Sequence, residues 1–359
     1  MPSTQRKKIV FTGGGSAGHV SVNLALIPSM QERGFETYYI GSHSGIEAGL
    51  IAGLPNVPYT GISTGKLRRY LDMENLKDPF RIIKGVAEAH RAIRTLKPDI
   101  VFSKGGFVSV PVVLAASLNR VPVIIHESDI TPGLANRIAL PFARKVCVTF
   151  PEAARHVKNG KAVHVGAIVR DELFSGSAAR GRAFCGLSAG KPIMVCMGGS
   201  LGSAKLNRVI RNNLEKLLPH FQIVHLCGKG QTDPGLDKKG YAQFEYITEQ
   251  LPDVLAAADL VVSRAGSNSI FEFLALNKPM LLIPLSKAAS RGDQLLNAES
   301  FRSAGYADVL LEEDITDIRF VHAVQQLYHN RGEIKARMKS HDNQASLRTV
   351  LELIMQTVR

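Results

Sequence analysis

FTGGGSAGH, residues 11–19, is the stretch on which the fold turns. The apolar run KKIVF, Lys7 to Phe11, leads into it and reads as a buried strand. VSVNLALIPSMQER, residues 20–33, follows with apolar residues at helical spacing. The glycines therefore occupy a strand-to-helix turn. Such a turn aims unpaired amides and the positive end of a helix dipole at whatever approaches, and glycine lets a phosphate come close. A tight connection with no ligand uses the same residues, so the loop alone leaves both readings open.

At 359 residues, with 45% hydrophobic and 21% charged side chains, the chain has an ordinary globular composition and the length of two domains. No run of about 18 uncharged apolar residues occurs. MPSTQRKKIVFTGGG leads into a strand rather than a signal peptide, so a cytosolic chain is expected. Cys147, Cys185, Cys196 and Cys227 are far apart and three lie in or near apolar strands, which suits reduced core thiols better than disulfides or a zinc site. The net charge of +13 is uneven: Lys and Arg outnumber Asp and Glu by 21 to 11 over residues 1–169, but by 23 to 20 over residues 170–359. Nucleic acid, an anionic membrane surface or a phosphorylated ligand would each answer a basic first half. No zinc-finger spacing, RNP aromatic pattern or long basic tract supports nucleic acid.

Strand and helix patterns alternate throughout, which predicts an α/β fold with parallel sheets covered on both faces. Candidate strands in the first half are KKIVF, TYYIGS, PDIVFS, PVIIHES, KVCVTF and AVHVG. A second series comprises PIMVCMGGS, QIVHLCGK, FEYIT, DLVVSR and PMLLIPL. Residues 165–191, polar and rich in Gly, Ala, Ser and Arg, read as the hinge between two doubly wound domains, 1–168 and 169–344. IVFTGGGSAG in the first is echoed by IMVCMGGSLGSAKLN in the second, and a further glycine turn, SKGGFVSVP (residues 103–111), follows PDIVF. Two Rossmann-like domains with facing glycine turns would make a cleft at the carboxyl ends of their strands.

SRAGSNSIFEFLALNKPMLLIPL, residues 263–285, is the most informative segment. Ala265, Gly266 and Ser267 offer amides to a diphosphate at a helix start. Glu272 is spaced to accept hydrogen bonds from a ribose diol, although a helix-face glutamate paired with a cation looks the same. Asp293, Gln294 and Asn297 suit sugar hydroxyls, or a capped helix start. Ser200 would donate to a phosphate or cap the next helix. In the first half, Glu127, Asp129 and Asn136 follow the strand VPVIIHES; a capped helix needs only Asp129 or Thr131, which leaves Glu127 without a local task. His19 would take a proton from an attacking hydroxyl, since histidine titrates near neutrality, or serve structurally. With neither HExxH nor a loop DxD, a diphosphate leaving group would rely on amides and Arg170. Residues 63–97 interleave Lys66, Arg68, Arg69, Arg81 and Lys84 with Leu67, Tyr70, Phe80, Ile82 and Ile83. That pattern fits an interfacial membrane contact, or an amphipathic core helix with a solvated basic face.

FTGGGSAGHV, FSKGGFVSVPVVLAA, HESDITPGLAN, VGAIVRDEL, MGGSLGSAKLN, SRAGSNSIFEFLALNKPMLLIP and GDQLLNA together resemble the MurG family over nearly the whole length and in the same order. Members of that family are the bacterial N-acetylglucosaminyltransferases that convert lipid I to lipid II in peptidoglycan synthesis. The resemblance implies the glycosyltransferase B architecture, two Rossmann-like domains across a cleft, with residues 345–359 packing back on the first. It implies inverting chemistry without metal or cofactor. Acceptor-diphosphate loops are expected at Gly14, Gly15, Ser16, Ala17, Gly18, Gly105, Gly106 and Asn136, with His19 and Glu127 as catalytic candidates. The UDP-GlcNAc donor falls to Arg170, Ser200, Ala265, Gly266, Ser267, Glu272, Asp293, Gln294 and Asp129. The patch of Lys66, Arg68, Arg69, Phe80, Arg81, Ile82, Ile83 and Lys84 matches a proposed membrane face. The implied setting is peripheral, on the cytoplasmic face of the cell membrane. Candidate partners are anionic inner-leaflet lipid, undecaprenyl-linked lipid I, and cell-wall synthesis and division proteins.

Two positions depart from the family. HESD stands where many relatives have HEQN, putting Asp129 at a donor-associated asparagine, and Asp293-Gln294 stands where many have paired glutamines. A carboxylate accepts hydroxyl hydrogens but cannot donate as an amide does. The expected reaction is transfer of GlcNAc from UDP-GlcNAc to the MurNAc 4-hydroxyl of lipid I. Its rivals are a UDP-glucose:diacylglycerol glucosyltransferase-like enzyme and a non-catalytic nucleotide-sugar-binding scaffold at the membrane; clustered glycine turns favour an enzyme.

Overall fold

The computed structural model describes residues 6–65, 78–199, 202–287, 291–339 and 344–358. The chain divides into two compact units: one runs to Ile168 and includes the C-terminal helix (Gln344–Thr357), the other begins at Val169.

The first unit holds a parallel sheet in the order β3-β2-β1-β4-β5-β6-β7. Its strands are β1 (Lys8–Thr12), β2 (Glu36–Ser42), β3 (Tyr59–Ile62), β4 (Ile100–Ser103), β5 (Val123–Glu127), β6 (Lys145–Val148) and β7 (Ala162–His164). The connecting helices are α1 (Ser21–Glu32), α2 (Ile46–Ala52), α3 (Asp78–Leu96), α4 (Ser109–Leu118) and α5 (Leu134–Ala139). β4 and β5 are buried at every position, as a parallel sheet covered on both faces requires. The C-terminal helix completes this core: Val350, Leu351, Leu353 and Ile354 share a cluster with Ile9, Phe11, Leu26 and Tyr39.

The second unit repeats the plan in the order β10-β9-β8-β11-β12-β13. Its strands are β8 (Ile193–Met197), β9 (Gln222–Leu226), β10 (Tyr241–Phe244), β11 (Leu260–Ser263), β12 (Met280–Leu282) and β13 (Ala307–Val309). Its helices are α6 (Ala178–Phe184), α7 (Ala204–Asn212), α8 (Leu214–Leu217), α9 (Leu251–Ala257), α10 (Ser267–Ala275), α11 (Asp293–Ser303) and α12 (Asp317–Met338).

In each sheet the chain first builds outward to one side, then crosses back and builds to the other. The order reverses between β1 and β4 in the first unit and between β8 and β11 in the second. Ligands of open parallel sheets bind outside the carboxyl ends of the strands at such reversals. The glycine turns fall at these places: Gly13–Gly15 after β1, Gly105–Gly106 after β4, Gly198–Gly199 after β8 and Gly266 after β11.

Several expectations need correction. FEYIT is not a strand; pairing of Tyr241 with Ile223 sets β10 three residues earlier, where the buried Tyr241 hydroxyl bonds to His225 Nδ1 at 2.9 Å. β3 and β13 carry no long apolar run and lie at sheet edges, so composition did not mark them. Within residues 165–191, read as the hinge, lies α6, which packs on α9. A Cβ at Gly181 would stand 2.2 Å from the Asp253 carbonyl oxygen, and Arg180 Nη2 reaches Asp253 Oδ1 at 2.7 Å. The four cysteines are free and buried.

One buried side chain holds the first glycine turn from α2. Glu47 accepts the amides of Gly15 (3.1 Å) and Ser42 (2.9 Å) and the Ser42 hydroxyl. On the strand side, the Tyr39 hydroxyl donates to the Gly13 carbonyl at 2.8 Å and Asn23 Nδ2 to the Thr12 carbonyl at 3.1 Å. Burial alone would raise the Glu47 carboxyl, but the bonds from Ser42 and Gly15 outweigh it and hold the group below its ordinary 4.5. A depressed carboxylate stabilises the fold above its unfolded value, and that contribution is lost as pH falls through the folded one. Glu47→Gln should therefore lower the urea midpoint of the first unit at pH 7 and flatten its decline below pH 4.5; an unaltered acid slope counts against this role. Ile354→Ala should cost about 2–5 kcal/mol. In a denaturant melt that resolves the two units, only the first transition should move.

Candidate active site

At the reversal of the first sheet, the turns after β1 and β4 press together. Gly106 has φ +81°, and a Cβ there would lie 2.2 Å from the Gly14 carbonyl oxygen and 3.0 Å from His19 Nδ1. Gly13 and Gly14 are buried, whereas Gly15 and Ser16 are exposed. Ala17–His19 then form a single 3-10 turn ahead of α1. Gly13, Gly15 and Gly18 stand at G-x-G-x-x-G spacing across this strand-to-helix turn.

His19 closes this turn. Its Nδ1 lies 3.1 Å from the Gly14 carbonyl and 3.0 Å from Ser16 Oγ. A carbonyl oxygen only accepts, so the bond to Gly14 puts the proton on Nδ1 and the lone pair on Nε2. Held in that tautomer, the ring is chemically suited to accept a proton at Nε2.

β5 delivers the second group. Glu127 Oε1 accepts the Asp129 amide at 3.0 Å, while Oε2 accepts the Gly133 amide at 3.1 Å and Asn136 Nδ2 at 2.8 Å. The expectation that Glu127 has no local task is thus overturned: its carboxylate organises the whole turn into α5. α5 is capped by Gly133 with no side-chain bond, so neither Asp129 nor Thr131 serves as the cap. Asn136 is buried and turned inward, also bonding the His126 carbonyl at 3.2 Å. Its Oδ1 has no hydrogen-bond partner and would stand 3.0 Å from a Cβ on Gly105. Burial, then the neighbouring Asp129 charge, raises the Glu127 carboxyl, against the Asp129 amide, Asn136 and the Lys104 cation.

Lys104 itself was missed by the sequence reading. It is the first residue after β4, 3% exposed, with its ammonium donating to Ser128 Oγ. Burial pulls it down to about 8, against the opposing pull of Glu127 and Asp129. A charge directly after a buried strand was the signal that singled out Glu127, and it applied here too. Glu47 had no such signal.

The second unit places its candidates at its own reversal. Ala265 and Ser267 are buried around Gly266, which precedes the first turn of the nine-residue α10. Asn297 Nδ2 holds the Ala265 carbonyl at 3.2 Å. Glu272 lies mostly buried on α10, and Arg170 Nη2 approaches its Oε1 at 3.5 Å. Burial raises the Glu272 carboxyl, partly offset by Arg170. Gln294 Oε1 accepts the Leu285 amide at 3.0 Å, which ties α11 to the segment after β12. Asp293, in the first turn of α11, pairs with Arg291 at 2.6 Å. Ser200 lies outside the described residues; α7 is capped by Ser203, which accepts the Leu206 amide. Among the described residues no group of three or more His, Cys, Asp or Glu side chains could hold a metal ion.

On α3, Phe80 and Ile83 are 76% and 67% exposed beside the exposed Arg81 and Lys84, while Ala89 and Ile93 face the core. The core-helix reading therefore fails for Phe80 and Ile83. Ile82 is half-buried, and Lys66, Arg68 and Arg69 lie outside the described residues.

Comparison with known proteins agrees with this architecture. The model of the glycosyltransferase family 28 N-terminal domain matches residues 9–148, and that of the family 28 C-terminal domain matches residues 193–354. The chain is 59% identical, over 99% of its length and 100% of the relative's, to an enzyme of Geobacillus thermodenitrificans. That relative is the UDP-N-acetylglucosamine--N-acetylmuramyl-(pentapeptide) pyrophosphoryl-undecaprenol N-acetylglucosamine transferase. This chain is also 56% identical, over 98% of its length and 99% of the relative's, to a Bacillus cereus protein of the same name, numbered 2. The crystal structure of Acinetobacter baumannii MurG shares the fold, with TM-score 0.76, 24% identity and coverage of 98% of this chain and 99% of that one. With both domain models matched in order and close relatives aligned end to end, the chain belongs to glycosyltransferase family 28.

Proposed function

We propose that the protein transfers GlcNAc from UDP-GlcNAc to the MurNAc 4-hydroxyl of lipid I, with inversion at the anomeric carbon, giving lipid II for peptidoglycan synthesis. The observation that carries this reading is the 59% identity, spanning both chains, to a relative whose name specifies that donor and acceptor. Neither rival, the diacylglycerol glucosyltransferase nor the scaffold, finds support among the relatives named.

The first unit takes the lipid-linked diphosphate on the turns around Gly14–Gly18 and Gly105–Gly106. His19 Nε2 removes the proton as the acceptor oxygen attacks the anomeric carbon and the bond to UDP breaks. Its Nδ1 bond to Gly14 keeps the ring oriented throughout. Glu127 holds the adjoining turn instead of acting as the base. The second unit takes the donor: the Ala265–Ser267 amides and Arg170 face the diphosphate, and Glu272 accepts the ribose hydroxyls. With donor bound, Arg170 exchanges part of its contact with Glu272 for the departing UDP.

Phe80 and Ile83, flanked by Arg81 and Lys84, fit an anionic lipid surface, because apolar burial and attraction to the headgroups reinforce one another. No helix among the described residues is long and apolar enough to cross a membrane. This reading places the protein peripherally on the cytoplasmic face, where lipid I and cell-wall or division proteins would meet it.

Purified protein should form lipid II from UDP-GlcNAc and lipid I, or a short-chain analogue, without added magnesium. A panel of UDP-sugars and lipid acceptors should show no comparable turnover with UDP-glucose and diacylglycerol; failure with lipid I and its analogue would refute the reading. His19→Ala should lower kcat by about 10²–10⁴-fold with little change in the KM for donor. Glu272→Gln should instead raise the KM for UDP-GlcNAc by about tenfold or more, the worth of a charged hydrogen bond. Exchange of these two kinetic signatures would reverse the assignment of roles.

A further inference from the structure

Lys104 takes no part in the transfer just described, yet a lysine ammonium is seldom buried without a partner and a purpose. It occupies the floor of the first unit's reversal. A Cβ on Gly13 would lie 3.2 Å from the Lys104 Cβ, and the next two residues are the glycines packed against Asn136, Gly14 and His19. From there its ammonium spans to Ser128 Oγ, on the turn between Glu127 and Asp129. A continuous path follows. Glu127 binds Asn136, Asn136 abuts Gly105, and Gly106 abuts the Gly14 carbonyl that fixes the His19 tautomer.

We propose that Lys104 is a positioning residue for the transfer: tied to Ser128 and facing Glu127 and Asp129, its ammonium keeps the Glu127–Gly133 turn closed around the Glu127 carboxylate and so keeps His19 aligned. The proposal rests on the transferase reading above. The groups facing Glu127 define the balance. Asp129 on its own turn opposes its charge, and Lys104 at the end of β4 supports it. Asn136 of α5 donates to the carboxylate, and the Thr149 amide beyond β6 donates to the Glu127 carbonyl at 3.0 Å. His126 on β5 is buried with neither ring nitrogen partnered, and burial together with Lys104 keeps it neutral. Lys104 is the cation in this set. Without it, a proton on Glu127 would turn one of the two oxygens that accept these three bonds into a donor.

The test compares full-length wild type, Lys104→Met, Asp129→Asn and the double variant. A cation beside a carboxylate lowers its pKa by about 1–3 units. In Lys104→Met the part of the acid limb of the kcat profile that follows Glu127, distinct from protonation of His19, should move up by about one unit, and kcat at neutral pH should fall by about tenfold to a hundredfold, as for a misaligned base. The KM for UDP-GlcNAc in Lys104→Met should stay unchanged, since Arg170, the Ala265–Ser267 turn and Glu272 belong to the other unit. Asp129→Asn should move the acid limb the opposite way, and the double variant should lie between. A folded Lys104→Met protein with wild-type kcat and acid limb overturns the proposal. If Lys104→Met does not fold, the Asp129→Asn shift decides alone, and its absence is equally fatal. The Asp129 and Gly133 amide resonances report the same titration without turnover. A wild type that makes no lipid II therefore sinks the transferase reading, while an unmoved amide titration sinks this one.

Discussion

Two turns share one space in the first unit, and only glycine lets them: a side chain at Gly106 would collide with the Gly14 carbonyl. Because both turns leave neighbouring parallel strands where the sheet order reverses, their close approach fixes the position of everything mounted on them. The Gly14 carbonyl selects the His19 tautomer, Gly105 abuts Asn136, and Asn136 holds Glu127. The second unit obeys the same constraint with different parts. Gly202 leaves no room for a Cβ beside the Cys227 carbonyl, at 2.0 Å, and Asn297 and Gln294 brace the segments after β11 and β12.

Charge is distributed on a matching plan. Lys104 is the first residue after β4 and Arg264 the first after β11, and both are buried. Each is tied to a serine hydroxyl from another connection: Lys104 to Ser128, Arg264 to Ser203 at 2.6 Å. Arg264 also bonds Glu312 and the carbonyl of Ile283. Both cations have carboxylates beside them, Glu127 and Asp129 for Lys104 and Glu312 for Arg264, and partnered charges tolerate burial far better than isolated ones. The two units thus combine the same elements, glycine turns in front and a tethered cation behind.

Much of this was legible in advance. β1, β4, β5, β8, β11 and β12 are continuous apolar runs because parallel strands are covered on both faces, and the glycines at their ends stood out for the same reason. The short edge strands β3 and β13 lack that signature. Within the site, His19 and the Ala265–Ser267 turn were recognisable from their place after a strand. Glu127 and Asn136 were found, but their inward orientation was not, since it arises from bonds to each other and to the amides of Asp129 and Gly133.

Sequence by itself determined the two-unit α/β plan and the places of the glycine turns, because these depend on apolar periodicity and on glycine at tight turns, and its ordered motifs carried the resemblance to the family. Tertiary structure alone decided which polar groups are turned inward to hold the scaffold. Glu47 supports Gly15 across 32 residues and Lys104 supports Ser128 across 24, separations at which no local pattern survives. Only folding brings such groups together, and only then do burial and neighbouring charge set what each of them does.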